Sequence, residues 1–206
     1  MKELILASNN KGKIKEFTEI FNKIGVKIIP QKSLNIPEVD EPYNTFIENS
    51  LHKARHCSKH TKLPALADDS GLCVLKLNGA PGIYSARYAG YNSNNITNNQ
   101  KLINELYKSG VDFKSNLNDQ KAYFYCTLVL IRYELDPQPL IADGFLNGII
   151  IEKANGDNGF GYDPHFFLPD YKKTLAQLEP SIKNQISHRG MAIENLLTKI
   201  KILNLF

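Results

Sequence analysis

Leu63-Pro64-Ala65-Leu66-Ala67-Asp68-Asp69-Ser70-Gly71-Leu72 is the stretch on which the reading of the fold turns. Its apolar start, Leu63 to Ala67, reads as a buried strand, and two adjacent carboxylates stand at its end. Carboxylates placed straight after an apolar strand are costly to bury without a partner, so the pair points to a cation or a solvated crevice. Open α/β sheets put their ligand crevice at the carboxyl ends of strands, where this reading puts Asp68 and Asp69. Asp, Ser and Gly are also ordinary turn residues, so the stretch by itself leaves turn and site open. The flanking sequence tips the balance.

The chain has 206 residues, enough for one domain, or two small lobes, with a sizeable core. An apolar content of 42% and a charged content of 22% are those of a globular protein. No apolar run approaches the roughly 18 residues of a membrane span, and Leu4 to Ala7 is too short for a signal-peptide core. Cys57, Cys73 and Cys126 are odd in number and far apart, the pattern of reduced thiols in a cytoplasmic protein. A net charge of +4 permits an anionic partner, but the lysines are scattered and form no stripe for nucleic acid. The composition therefore points to no membrane and no nucleic-acid partner.

Leu4 to Ala7 reads as a first strand, followed by the polar loop Ser8-Asn9-Asn10-Lys11-Gly12-Lys13. Ile14, Phe17, Ile20, Phe21 and Ile24 then recur at helical spacing, and Gly25 ends the helix. A strand, a Gly-containing loop and a helix together aim backbone N–H groups and a helix dipole at the loop, which suits phosphate. It is not a Walker A loop, because Ile14 stands where Ser or Thr would hold magnesium. A plain β–α turn is the competing reading. Val26 to Ile29 is a second strand, and the loop after it gathers Glu38, Asp40 and Glu41. Thr45-Phe46-Ile47-Glu48 has the capping-box pattern and opens a helix to about His60, with Ile47, Leu51, Ala54 and Cys57 or Ser58 inward. On that helix Asn49 and Lys53, four apart, can point together into a cleft.

Leu72 to Leu77 reads as a short strand and Asn92 to Asn99 as a polar loop. Leu102, Ile103, Leu106 and Tyr107 mark a helix ending at Gly110. Ala122 to Tyr133 is the expected central strand, followed by the strand pair Leu140–Ala142 and Phe145–Ile151. Long strands joined by a short turn imply an antiparallel section. The expected fold is therefore α/β, with a mixed central sheet and flanking helices. In Asn158-Gly159-Phe160-Gly161-Tyr162-Asp163-Pro164, glycines alternate with aromatics, leaving the backbone thin where a flat ring can stack on Phe160. A hydrophobic loop anchor is the competing reading. Ser187 caps a last helix with Ile193, Leu196, Leu197 and Ile200 inward. His188 and Arg189 then sit in its first turn, where the macrodipole disfavours cations, so an acceptor-rich ligand is implied nearby.

Taken together, Ser8–Lys13, Thr45–Asn49, Ala67–Leu72, Gly79–Tyr88, Gly159–Pro164 and Ser187–Gly190 resemble the motifs of the inosine triphosphate pyrophosphatase family, in the family's order. The resemblance implies a single domain over 1–206, built as two lobes with the active-site cleft between them. It also implies a homodimer and a Mg2+-dependent hydrolysis of ITP, dITP and XTP to monophosphate and pyrophosphate. Asp69 then corresponds to the catalytic acidic residue, with Asp68 and Lys13 beside it. Ser8, Asn9, Asn10, Lys11, Gly12 and Lys13 match the triphosphate loop. Ser70 matches a substrate contact, Phe160, Gly161, Tyr162 and Asp163 the base-side loop, and Lys183 a substrate-contacting lysine. His188 and Arg189 match the residues that read the base. Asp69, with Asp40 or Glu41, is expected at the metal, although Glu41-Pro42-Tyr43 departs from the Glu-Thr-Gly frequent in bacterial members. Two other readings stand beside this one: a Maf-like enzyme acting on modified pyrimidines, and a nucleotide- or RNA-binding module without turnover.

Overall fold

The computed structural model describes residues 2–205. In chain order its elements are β1 (Lys2–Leu6), α1 (Lys11–Asn22), β2 (Val26–Pro30), α2 (Phe46–Thr61), β3 (Ala65–Val74) and α3 (Asn95–Lys108). They continue as β4 (Lys121–Ile131), β5 (Leu140–Ile150), β6 (Phe166–Leu168), β7 (Lys173–Thr174), α4 (Pro180–Ile186) and α5 (His188–Ile202). One seven-stranded sheet runs in the order β2-β1-β3-β4-β5-β6-β7, with β4 central as expected. It is mixed: β1 pairs parallel to β2 and β3, and β6 pairs antiparallel to β5 and β7. Among the described residues no helix is long and apolar enough to cross a membrane. Cys57, Cys73 and Cys126 are free and buried.

The chain divides into two compact units. The first comprises the residues up to Asp69, Thr127–Asp143 and those from Ala192 onward. Here Ile5, Ala7, Ala65 and Ala67 pack with Ala54 and Cys57 of α2, and with Val129 and Ile131 of β4. These strand residues share odd parity in β1 and β3, so they line one face of the sheet. α1 buries Phe17 and Phe21, whereas Ile24, expected inward, is exposed beyond the helix end. α2 starts at its predicted cap: Thr45 Oγ1 accepts the Glu48 N–H at 3.2 Å and donates to Glu48 Oε2 at 2.7 Å. Ile47 is largely exposed, and the inner face instead takes Asn49 and Ser50.

The second unit comprises Ser70–Cys126 and Gly144–Met191. Its core gathers Leu72 and Val74 of β3, Leu102 and Leu106 of α3, Phe124, Tyr162 and Phe166. Three expectations fail on where elements begin and end. β3 does not stop at Ala67; it runs through Asp68, Asp69, Ser70 and Gly71 to Val74, so the segment from Leu72 is the same strand and not a second one. Likewise β5 is one strand across Asp143 and Gly144. α3 begins inside the supposed Asn-rich loop, where Asn94 and Thr97 form a reciprocal cap.

Gly71 is where β3 comes against the segment Gly82–Ser85. The Leu72 N–H donates to Ser85 Oγ at 2.9 Å, and that hydroxyl donates to the Gly82 carbonyl at 2.6 Å. A Cβ on Gly71 would run into the Gly82 carbonyl and the Ser85 hydroxyl, neither of which can withdraw without breaking this pair of bonds. Gly71→Ala is therefore expected to cost about 1–3 kcal/mol in urea unfolding, the scale of overpacking a tight site. A loss under about 0.5 kcal/mol, that of an ordinary surface change, would show that the segment simply gives way.

Candidate active site

Asp68 and Asp69 lie inside β3, at 2% and 7% exposure, not in a turn after it. Consecutive strand residues face opposite sides of a sheet, so the two carboxylates need two separate countercharges. Asp69 continues the parity of Ala65 and Ala67, the face covered by α2, and from α2 Lys53 Nζ reaches Asp69 Oδ1 at 3.4 Å. Lys53 also holds Glu41 Oε1 at 2.6 Å. Asp68 takes the other parity and receives Lys13 Nζ of α1 at 2.5 Å.

The two aspartates consequently differ. Burial pushes the Asp69 pKa up to about 6; Glu41 and Asp68 add to the rise, while Lys53 and Lys13 oppose it. Burial alone would depress the Lys53 ammonium, but Asp69, Glu41 and Asp68 outweigh it and raise its pKa. Asp68 is in direct contact with Lys13, whereas Asp69 lies farther from Lys53.

The expected phosphate loop is partly helix. α1 begins at Lys11, and Asn10 is its cap, its side chain accepting the Lys13 N–H at 3.1 Å. Ser8 Oγ accepts the Asn10 N–H at 3.2 Å, and Asn9 Nδ2 donates to Glu38 Oε1 at 2.5 Å. Lys11 and Gly12 are exposed in the first turn, which carries no acidic side chain. This segment therefore offers anions an uncompensated helix N-terminus beside Lys13.

Of the three expected metal-side acids, Asp69 and Glu41 are brought together on Lys53, whereas Asp40 is exposed. Among the described residues, no group of three or more His, Cys, Asp and Glu side chains is placed to hold a metal ion. The donor chemistry of the pair nonetheless fits magnesium, a hard cation that takes one or two carboxylates and fills its shell with water and phosphate oxygens.

In the second unit, Arg189 is buried and its Nη2 donates to Ser70 Oγ at 3.2 Å. The His188 ring lies flat on Phe124, with centroids 5.0 Å apart and planes 12° apart. Ser187 caps α5 as expected, accepting the Gly190 N–H at 3.0 Å. Lys183, on α4, holds Asp163 Oδ2 at 2.5 Å, and the same oxygen accepts the Phe160 N–H at 2.8 Å. Phe160 is 56% exposed, with the Lys183 ammonium 4.9 Å from its ring centroid. Gly159 and Gly161 flank it at φ +82° and +64°. Tyr162, expected among the substrate contacts, is buried in the core and donates its hydroxyl to the Ser85 carbonyl at 2.8 Å. Burial drives its phenol pKa far up.

Lys53 is the functional side chain that sequence reading underrated. Its signal was the spacing from Asn49, but the two do not act together. Asn49 is fully buried and ties down the backbone of Tyr43, accepting its N–H at 3.0 Å and donating to its carbonyl at 3.2 Å. Phe124 and Asn99, which support the Phe160–His188 region, carry no site signal in the sequence: Phe124 reads as an ordinary strand residue, and Asn99 falls in the stretch expected to be a polar loop.

Residues 4–199 match the model of the Ham1 family. The chain is 49% identical over 201 residues to the dITP/XTP pyrophosphatase of Chromobacterium violaceum, covering 98% of both proteins. It is 48% identical over 204 residues to the dITP/XTP pyrophosphatase of Bordetella pertussis, covering 98% of this chain and 92% of that one. Among solved structures, a HAM1 protein from Coxiella burnetii superposes with a TM-score of 0.91 at 44% identity, covering 98% and 99% of the two chains. The Staphylococcus aureus Ham1 protein gives 0.85 at 39% identity, covering 97% and 98%. Sequence and structure agree along nearly the whole length, and the chain belongs to the Ham1 family.

Proposed function

We propose that the chain hydrolyses the non-standard purine nucleoside triphosphates ITP, dITP and XTP to the nucleoside monophosphate and pyrophosphate. The observation that carries this reading is a buried carboxylate, Asp69, ionising near neutral pH beside a second carboxylate and two lysines. The near-half identity to proteins named dITP/XTP pyrophosphatase supplies the substrate class. A binding module without turnover has no need of such a group. A general base, by contrast, works best with its pKa close to the working pH.

Asp69 positions and deprotonates the water that attacks the α-phosphorus in line, and Asp68 holds Lys13 in place. An ammonium has three donors, so Lys13 can keep Asp68 and still meet phosphate oxygens as charge builds on the leaving pyrophosphate. Lys53 holds Glu41 against Asp69. Magnesium, held by Asp69 with Glu41 or Asp40, would supply charge neutralisation on the phosphates. Phe160 stacks on the base with the ring face that Lys183 leaves open. Arg189, anchored on Ser70, and His188, braced on Phe124, present donors to a 6-oxo purine edge. The resemblance further implies a homodimer working in the cytoplasm, which sedimentation and fractionation would check.

Base choice is tested by kcat/KM for ITP, XTP and ATP on wild type and Arg189→Ala. We expect ITP and XTP far above ATP, because adenine turns a donor toward donors; mismatches of this kind reach about 10⁴-fold in favourable sites. Arg189→Ala should shrink the ITP-over-ATP ratio at least tenfold, within the roughly 1–3 kcal/mol of a bidentate Arg contact to a purine edge. An unchanged ratio would remove Arg189 from base reading.

The role of Asp69 makes a second prediction, on stability. Its folded pKa of about 6 lies above the ordinary 3.8, so folding takes up a proton between those values. The contribution of the protonated group to stability is complete below about pH 4 and is lost as pH rises through about 6. Asp69→Asn should therefore unfold at higher urea than wild type at pH 8 with chelator present, by the order of 1–3 kcal/mol. The gain should shrink toward pH 5, and turnover of ITP with magnesium should fall more than tenfold. An Asn variant less stable than wild type at pH 8 would show that burial does not set this group.

A further inference from the structure

Resting on that reading, we infer that Asn99 is a positioning residue for base binding: it pins the Phe160 loop from α3 and thereby holds the stacking ring ready. Phe160 sits between two glycines in left-handed conformations, the least restrained backbone on which an aromatic platform can be mounted. Such a platform binds well only if its ordering is settled before the ligand arrives. Besides its backbone bonds, three side-chain contacts restrain the loop around the ring. The Phe160 N–H is held by Asp163, itself fixed by Lys183, and the Tyr162 hydroxyl is held by the Ser85 carbonyl. The third point is the Gly161 carbonyl, which accepts from Asn99 Nδ2 at 2.9 Å.

Asn99 is well placed for this because its neighbour on α3 serves the same frame. Asn98 is buried; it accepts the Ala89 N–H at 2.8 Å and donates to the Ala86 carbonyl at 3.1 Å. The segment thus fixed to α3 begins one residue after Ser85, the anchor of Tyr162. Consecutive asparagines therefore tie α3 to the loop twice, through Asn98 and Ser85 to Tyr162, and directly from Asn99 to Gly161. Only the direct link touches the residue next to Phe160. Asp163 and Lys183 restrain the N-terminal side of Phe160; on its C-terminal side the Phe160 carbonyl accepts the Asp163 N–H at a long 3.4 Å, so Asn99 is the side chain that holds the backbone directly after the ring.

The test compares Asn99→Leu, which keeps the branching at Cγ and removes the donor, with wild type in the Phe160 and the Phe160→Ala backgrounds. In the Phe160 background, KM for ITP should rise about 3–10-fold, the range covered by one neutral hydrogen bond, with kcat within twofold. In the Phe160→Ala background the same change should add less than about twofold, since the residue acts through the ring. Hydrogen exchange on the ligand-free protein gives an activity-independent readout: the Phe160 amide should exchange faster in Asn99→Leu, while amides of β4 stay as in wild type. An unchanged KM, a rise of equal size in both backgrounds, or unchanged exchange at Phe160 would overturn the inference. Failure of wild type to release pyrophosphate from ITP would instead overturn the proposed function, and the exchange result would still decide whether Asn99 anchors the loop.

Discussion

Two carboxylates in succession on an interior strand cannot share one counterion, because the pleat sends them to opposite faces. From that constraint the first unit follows. Asp68 requires a cation from one side and Asp69 a cation from the other, and α1 and α2 each deliver one lysine, Lys13 and Lys53. Removing either lysine would leave a charge almost out of water, a change that costs several kcal/mol when nothing replaces the partner. The apolar residues of β1 and β3 place the helices, but the lysines specify at which turn of each helix the strand's charges must sit. Capping at Asn10 and at Thr45 sets those turns in register, Lys13 three residues beyond the first cap and Lys53 eight beyond the second.

The second unit meets a different demand, an exposed aromatic ring on a pliable loop. Its answer is to spend every neighbouring polar group on the backbone around the ring. Asp163 serves the Phe160 amide and Lys183 together, so one carboxylate oxygen links the loop to α4. Gly159 is required by that economy. A Cβ there would collide with the same carboxylate and crowd the Lys183 ammonium, and its φ of +82° is one that other residues adopt at a cost. The His188 ring is steadied by the Phe124 ring stacked on it.

Much of this was legible in the sequence because helices announce themselves by spacing and caps. Phe17 and Phe21, the Thr45–Glu48 cap, Ser187, and Ile193 with Leu196 all sit as their pattern implies. Strand limits were misread wherever polar residues lie inside a sheet. Asp, Ser and Gly are poor strand formers, so Asp68–Gly71 and Asp143–Gly144 looked like breaks; pairing and ion pairs override that preference. The Asn-rich start of α3 looked like a loop for a related reason: asparagine favours caps and turns, and here one asparagine caps while Asn98 and Asn99 work from the helix interior. Motif residues single out candidate groups for the chemistry. The groups that hold them, Lys53, Phe124 and Asn99, are recognisable only once the chain has folded, since nothing in their local spacing sets them apart.

The two aspartates also differ in how their lysines are shared. The Asp68 carboxylate is in direct contact with Lys13. Asp69 shares Lys53 with Glu41, and neither carboxylate has a full countercharge from it. Burial is the chief cause that lifts the Asp69 pKa to about 6, and the Glu41 and Asp68 charges add to it against the opposing pull of Lys53. An arginine in place of Lys53 would present a planar fork to the two carboxylates, where the lysine presents one compact point charge that both Glu41 and Asp69 approach.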